Sequence, residues 1–133
     1  MFRNLILLTI ATSICVVPAV VFAQESLPQP DRKGDYYDGQ WREWLVVDRD
    51  RKGLNCRSDA NGNYSVIKKF YNSQKIYVNT QSYLLTGDKE NFSMIKRDRQ
   101  GKPWLAVLPT GYQYEKPCFV RANSSFIKPI PRN

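Results

Sequence analysis

Chemistry at neutral pH most often begins with histidine, and this chain of 133 residues contains none. Its absence removes the commonest general base and metal ligand. Carboxylates remain as candidate acids and bases, and Asp48, Asp50 and Asp59 lie close together in the sequence. In Asp48-Arg49-Asp50-Arg51-Lys52-Gly53, however, acid and base alternate as in a solvated turn that neutralises itself. A catalytic carboxylate pair is therefore not expected, and the chain reads as a non-enzyme. Three cysteines, Cys15, Cys56 and Cys118, fall short of the four nitrogen or sulfur ligands that structural zinc normally needs. Neither a metal nor a cofactor is expected.

What remains is recognition. Tyrosine and tryptophan combine a large contact area with a polar handle, and Tyr64, Tyr83, Trp104, Tyr112, Tyr114 and Phe126 fall near predicted loops or strand ends. Core packing is the competing role for two of them, since Trp104 begins a strand and Phe126 precedes the closing one. Tyr112 and Tyr114 alternate on one face of an extended segment, to line a groove or to pack on an N-terminal arm. A second constellation is basic. Lys96, Arg97, Arg99 and Lys102 surround a predicted hairpin tip, opposed only by Asp98. Such a cluster either recruits an anionic polymer through charge, with affinity that falls as salt rises, or keeps the hairpin edge from pairing with other chains.

The elements that must position these residues follow a leader. Arg3, an apolar run from Leu5 to Phe22 broken by Pro18, and Val21-Phe22-Ala23 before a polar stretch read as a signal peptide over residues 1–23. A retained membrane anchor is the alternative, the run being close to the spanning minimum of about 17 residues. Processing leaves 110 residues, one domain with a modest core and no stable membrane span. The formal charge of +8 becomes +7 once Arg3 is lost. That balance suits anionic neighbours, wall polymers or lipid head groups, or simply solubilises the surface. Export argues against nucleic acid as a partner and places the protein in the periplasm or outside the cell. Cys15 departs with the leader, and the remaining even pair, Cys56 and Cys118, reads as a disulfide in an oxidising compartment, with two buried free thiols as the alternative.

Residues 24–40 carry prolines, glycines and charges with few aliphatics, too little to order themselves. They read as a flexible N-terminal arm, with Tyr36 and Tyr37 able to dock back on a domain spanning residues 41–133. From Trp44 onward the chain alternates short β-rich runs with turn signals, which favours a small all-β barrel or sandwich. Residues 44–49, 54–58, 65–70, 75–80, 92–97, 104–108, 118–120 and 127–130 are the candidate strands. Asn61-Gly62 supplies a turn tolerant of positive φ, and Asn72 is expected in the left-handed region at the next. Residues 81–90 are expected to protrude, and Asp98-Arg99-Gln100-Gly101 closes a hairpin.

Three segments in order, Gly53-Leu54-Asn55-Cys56-Arg57-Ser58, Gly101 to Val107 and Cys118 to Ile127, resemble the bacterial SH3-like domain family. Leu54, Asn55, Arg57 and Ser58 match its "LNVRS" motif, Val66 and Ile67 its valine-isoleucine pair, Trp104 and Val107 its "GWYKV" motif, and Val120, Phe126 and Ile127 its last. Two departures fall on cysteines: Cys56 replaces a frequent valine, and Cys118-Phe119 a frequent Gly-Trp. Their coincidence suggests a disulfide in place of apolar packing. The resemblance implies a small barrel of about five to seven strands with one 3₁₀ turn, at residues 122–125, before the last strand. It also implies a groove for an extended peptide, with Trp104, Tyr114, Asn123 and Phe126 on one wall, Tyr64 on another and Tyr112 nearby. The function so implied is a non-catalytic exported module that binds cell-wall peptide or an envelope protein. The alternative is charge-driven association with an anionic envelope polymer or a membrane surface.

Overall fold

The computed structural model describes residues 19, 26–38, 40–78, 94–112 and 114–132. Apart from Ala19, the leader lies outside the described residues, as do the expected protruding loop at 81–90 and Tyr83. Eight short strands are described: β1 (Glu43–Val46), β2 (Leu54–Arg57), β3 (Val66–Phe70), β4 (Lys75–Tyr77), β5 (Ile95–Arg97), β6 (Pro103–Val107), β7 (Cys118–Arg121) and β8 (Ile127–Pro129). The described residues contain no helix, so the all-β reading holds. The count exceeds the five to seven expected because each short apolar run finds its own strand partner.

The strands form two antiparallel sheets, β4-β1-β8 and β3-β2-β7-β6-β5. Neither sheet closes on itself. β8 was expected to close a barrel, but it pairs with β1 alone, through Val46 opposite Ile127. A backbone bond links the two sheets where β6 ends, Leu108 N–H donating to the Tyr77 carbonyl of β4 at 2.8 Å. A turn over Ser124–Phe126 precedes β8, closed by the Phe126 N–H donating to the Asn123 carbonyl at 2.9 Å.

Strict alternation builds the core. Trp44 and Val46 of β1, Leu54 and Cys56 of β2, Leu105 and Val107 of β6, and Cys118 and Val120 of β7 all turn inward. Cys56 and Cys118 are joined in a disulfide with 5.4 Å between their Cα atoms, linking the adjacent strands β2 and β7. The bridge closes 62 sequence positions, a constraint worth roughly 4 kcal/mol in the chain-entropy account.

The segment read as an arm is pinned to this body at a few points, where Pro28, Asp35 and Tyr36 are buried. Tyr36 is 3% exposed and meets the Trp44 ring edge-on at 5.0 Å. Its N–H donates to the Ala122 carbonyl, and Asp35 bridges Asn123 in antiparallel fashion. Asp35 is buried, accepting from Arg121 Nη2 at 2.9 Å and from Asn123 Nδ2 at 2.9 Å. Docking at Asp35 and Tyr36 needs little apolar area of the segment's own: it borrows a backbone edge and one ion pair. Gly34 permits the approach, with φ of 84° and a position where a Cβ would lie 2.5 Å from Ser124 Oγ.

Two turn expectations change. Ser73, not Asn72, takes the left-handed conformation, at φ 70°, while Asn72 uses its amide to donate to the Asp48 carbonyl. Gly62 is not among the residues of positive φ. Gly101 is, at φ 77°, where the β5–β6 hairpin turns.

Candidate functional site

Trp104 and Leu105 are neighbours on β6 and point to opposite faces of the sheet. Leu105 enters the core. Trp104 lies on the outer face between Lys96 of β5 and Arg121 of β7, its cross-strand partners, and is covered there to 7% exposure. Its indole Nε1 donates to Asp98 Oδ2 at 3.0 Å. The other Asp98 oxygen accepts from the Gln100 and Lys102 amides at 2.9 and 3.0 Å, so one carboxylate fixes both the hairpin tip and the indole. Burial raises the Asp98 pKa, but the indole and the two amides outweigh it and hold the group below the usual aspartate range.

Opposite the hairpin stands the turn between β2 and β3. Asn61 Oδ1 accepts from the Asn63 amide at 3.0 Å, and the Arg57 guanidinium donates to the Tyr64 carbonyl at 2.8 Å, which sets the Tyr64 ring outward at 46% exposure. Between turn and hairpin lies a cleft of about 580 Å³ lined by Asn61, Gly62, Asn63, Tyr64, Asp98, Arg99, Gln100, Lys102, Trp104 and Arg121. Two constellations that the sequence presents separately thus merge. Tyr64 and Trp104 come from the aromatic set, and Arg99 and Lys102 from the basic one.

The remaining candidates are placed elsewhere. Tyr112 and Tyr114 stand in a loop, not an extended segment, with rings edge to face at 5.6 Å and 63% and 76% exposed. Glu115 shapes that loop by accepting from the Thr110 and Tyr112 amides and the Thr110 hydroxyl. Burial raises the Glu115 pKa, yet these donors prevail and lower it. Asn123 holds the arm through Lys33 and Asp35, and Phe126 packs against the core. Neither borders the cleft. The basic cluster also divides: Lys96 pairs with Asp59 at 2.6 Å, and Arg97 lies over the Tyr37 ring at 4.6 Å. The Lys96 bond lowers the Asp59 pKa.

Electrostatically, the cleft is cationic at its mouth. Arg121 is engaged by Asp35 and by the Pro103 carbonyl at 2.6 Å. Asp98 is saturated by three donors. Arg99 and Lys102 are exposed and in no ion pair among the described residues. The cleft offers an indole flank, a tyrosine ring and two cations, a set suited to a flat or extended ligand with anionic groups. Sequence reasoning missed Asp98 as an organiser and Arg121 as a wall. The Asp-x-Gln-Gly turn composition hinted at the first; nothing local marks the second, whose place depends on strand register.

A smaller cleft of about 400 Å³ lies near both ends of the domain, where Arg132 covers the Trp41 ring at 4.6 Å. Among the described residues no group of three or more histidine, cysteine or acidic side chains is placed to hold a metal ion. No helix of the described residues is long and apolar enough to cross a membrane. Compared with protein families, with curated proteins and with solved structures, the chain matches none.

Proposed function

We propose that this chain is an exported, non-catalytic binding module of the bacterial SH3-like type, its two sheets acting as a small open barrel. Its cleft recognises an extended peptide with acidic groups, from the cell wall or from an envelope protein. The observation that carries this reading is the convergence of Tyr64, Trp104, Arg99 and Lys102 on one cleft of about 580 Å³, a volume within the range of ordinary ligand sites. The buried Cys56–Cys118 bridge supports an oxidising compartment.

Co-sedimentation of the mature domain with isolated peptidoglycan across a salt series tests it. Saturable binding that survives well above physiological salt and is lost in Tyr64→Ala is the expected result. Binding that vanishes with salt and ignores Tyr64 would leave only charge-driven association with envelope polymers.

A further inference from the structure

β3 ends the five-stranded sheet, and it exposes apolar side chains that a sheet edge ordinarily hides. Val66 is 42% exposed, Ile67 56% and Tyr71, directly after the strand, 49%. Ile67 is the extra residue of a bulge: Val66 pairs with Arg57 and Lys68 with Cys56, leaving Ile67 without a partner. A bulge re-aims its side chain and spoils the edge for further pairing. Lys68 and Lys69 follow, and in an antiparallel self-pair they would confront their own copies. The edge is therefore built against strand addition, so its apolar exposure needs another account.

Cations frame these side chains. Lys68 Nζ lies 5.4 Å from the centre of the Phe70 ring, and Lys69 Nζ donates to the Lys52 carbonyl at 3.0 Å, drawing the turn before β2 alongside the edge. Gly53 in that turn lets the Tyr71 ring approach, since a Cβ there would lie 2.9 Å from it. Asp48 and Asp50 are the acids of this turn, and each accepts a backbone amide two residues on. The result is a sheet edge on which an aliphatic pair and a tyrosine are interspersed with lysines, on a chain of formal charge +8.

We propose that the β3 edge and the turn before β2 form a peripheral docking surface for an anionic lipid bilayer. Ile67, Val66 and Tyr71 enter the head-group boundary, while Lys52, Lys68 and Lys69 meet lipid phosphates. A soluble polyanion would use the lysines alone and leave the apolar side chains in water; the lipid interface uses both. The surface is distinct from the peptide cleft, to which none of these six residues contributes.

Vesicle flotation of the mature domain tests this, using phosphatidylcholine vesicles with and without phosphatidylglycerol. Binding is expected only to the phosphatidylglycerol vesicles. Lys68→Glu with Lys69→Glu lowers it at least about 25-fold, at about fivefold per lysine near the surface, and Ile67→Asp lowers it by about tenfold or more. Ile67→Trp strengthens binding, and its emission shifts to the blue on adding the anionic vesicles. That variant carries the test should melting curves show Ile67→Asp unfolded. Ile67→Asp leaves peptidoglycan sedimentation unchanged, which separates this surface from the cleft. No binding to anionic vesicles overturns the proposal. So does binding indifferent to Ile67 and matched by polyglutamate at the same salt, because charge alone then suffices.

Discussion

Asp98 shows how much one side chain can organise. Its carboxylate holds two amides of the hairpin tip and the Trp104 indole, so the ring flanking the cleft is set by an acid six residues away. Trp104→Ala therefore removes a buried ring as well as a binding contact, and a loss of about 3 kcal/mol or more in denaturant unfolding is expected. Tyr64→Ala, at a ring nearly half exposed, leaves the melting temperature within about a degree of the parent while peptidoglycan binding falls. The pair of variants separates structural from recognition roles. Acid is the second probe at this scale. Asp98 and Glu115 both have pKa values lowered in the fold, so their contribution is complete above the unfolded values of about 3.9 and 4.3. It is lost as pH falls through the lower folded values. Melting temperature measured from pH 6 downward should thus decline below about pH 4, and the decline should flatten in Asp98→Asn with Glu115→Gln.

At the level of elements, the docked arm and the disulfide are the two ties that strand pairing alone does not provide. The arm is fixed by a buried ion pair, Asp35 with Arg121 at 2.9 Å, and by a backbone edge. Asp35→Ala strands a guanidinium that is itself mostly buried, and a loss of about 3 kcal/mol is expected in chemical denaturation. Gly34→Ala meets both an unfavourable φ and the Ser124 hydroxyl. Limited proteolysis should then cut near residues 31–36 much faster than in the parent, with the core surviving. Because Arg121 also walls the cleft, both changes should weaken peptidoglycan binding as well. Cys56→Ser with Cys118→Ser, or reduction, removes the tie between β2 and β7. Unfolding free energy should fall by roughly 4 kcal/mol.

Across the whole molecule, the cleft and the β3 edge place the two proposed recognition surfaces apart from each other. The cleft gathers a turn between β2 and β3, a hairpin between β5 and β6, and a residue of β7. No one segment holds it, and it exists only when the five-stranded sheet is assembled in register. Unfolding and loss of peptide binding should accordingly coincide in a denaturant titration followed by both intrinsic fluorescence and sedimentation. Charge acts over the whole surface as well: a formal charge of +8 speeds the approach of any anionic partner without choosing a ligand.

Most of the strands were legible in the sequence because alternation has a period of two, and runs such as β1, β2 and β7 carry it locally. The cysteine pair was legible for a similar reason: once a leader is read over residues 1–23, the two cysteines left have few alternatives. The aromatic and basic residue types were visible too, but not their grouping. Tyr64 and Trp104 line one cleft, and Tyr112 with Tyr114 stand apart from it, because cross-strand register and the two turn geometries set those positions, and both depend on contacts remote in sequence. The same is true of Arg121, which faces Asp35 across 86 positions, and of the arm, whose composition reads as unstructured until the edge it pairs with is in place. Local pattern thus determined which residues form strands and turns. The tertiary structure alone decided which outward-facing side chains meet, since the outer face of a sheet is ordered by neighbours that strand pairing, not chain order, supplies.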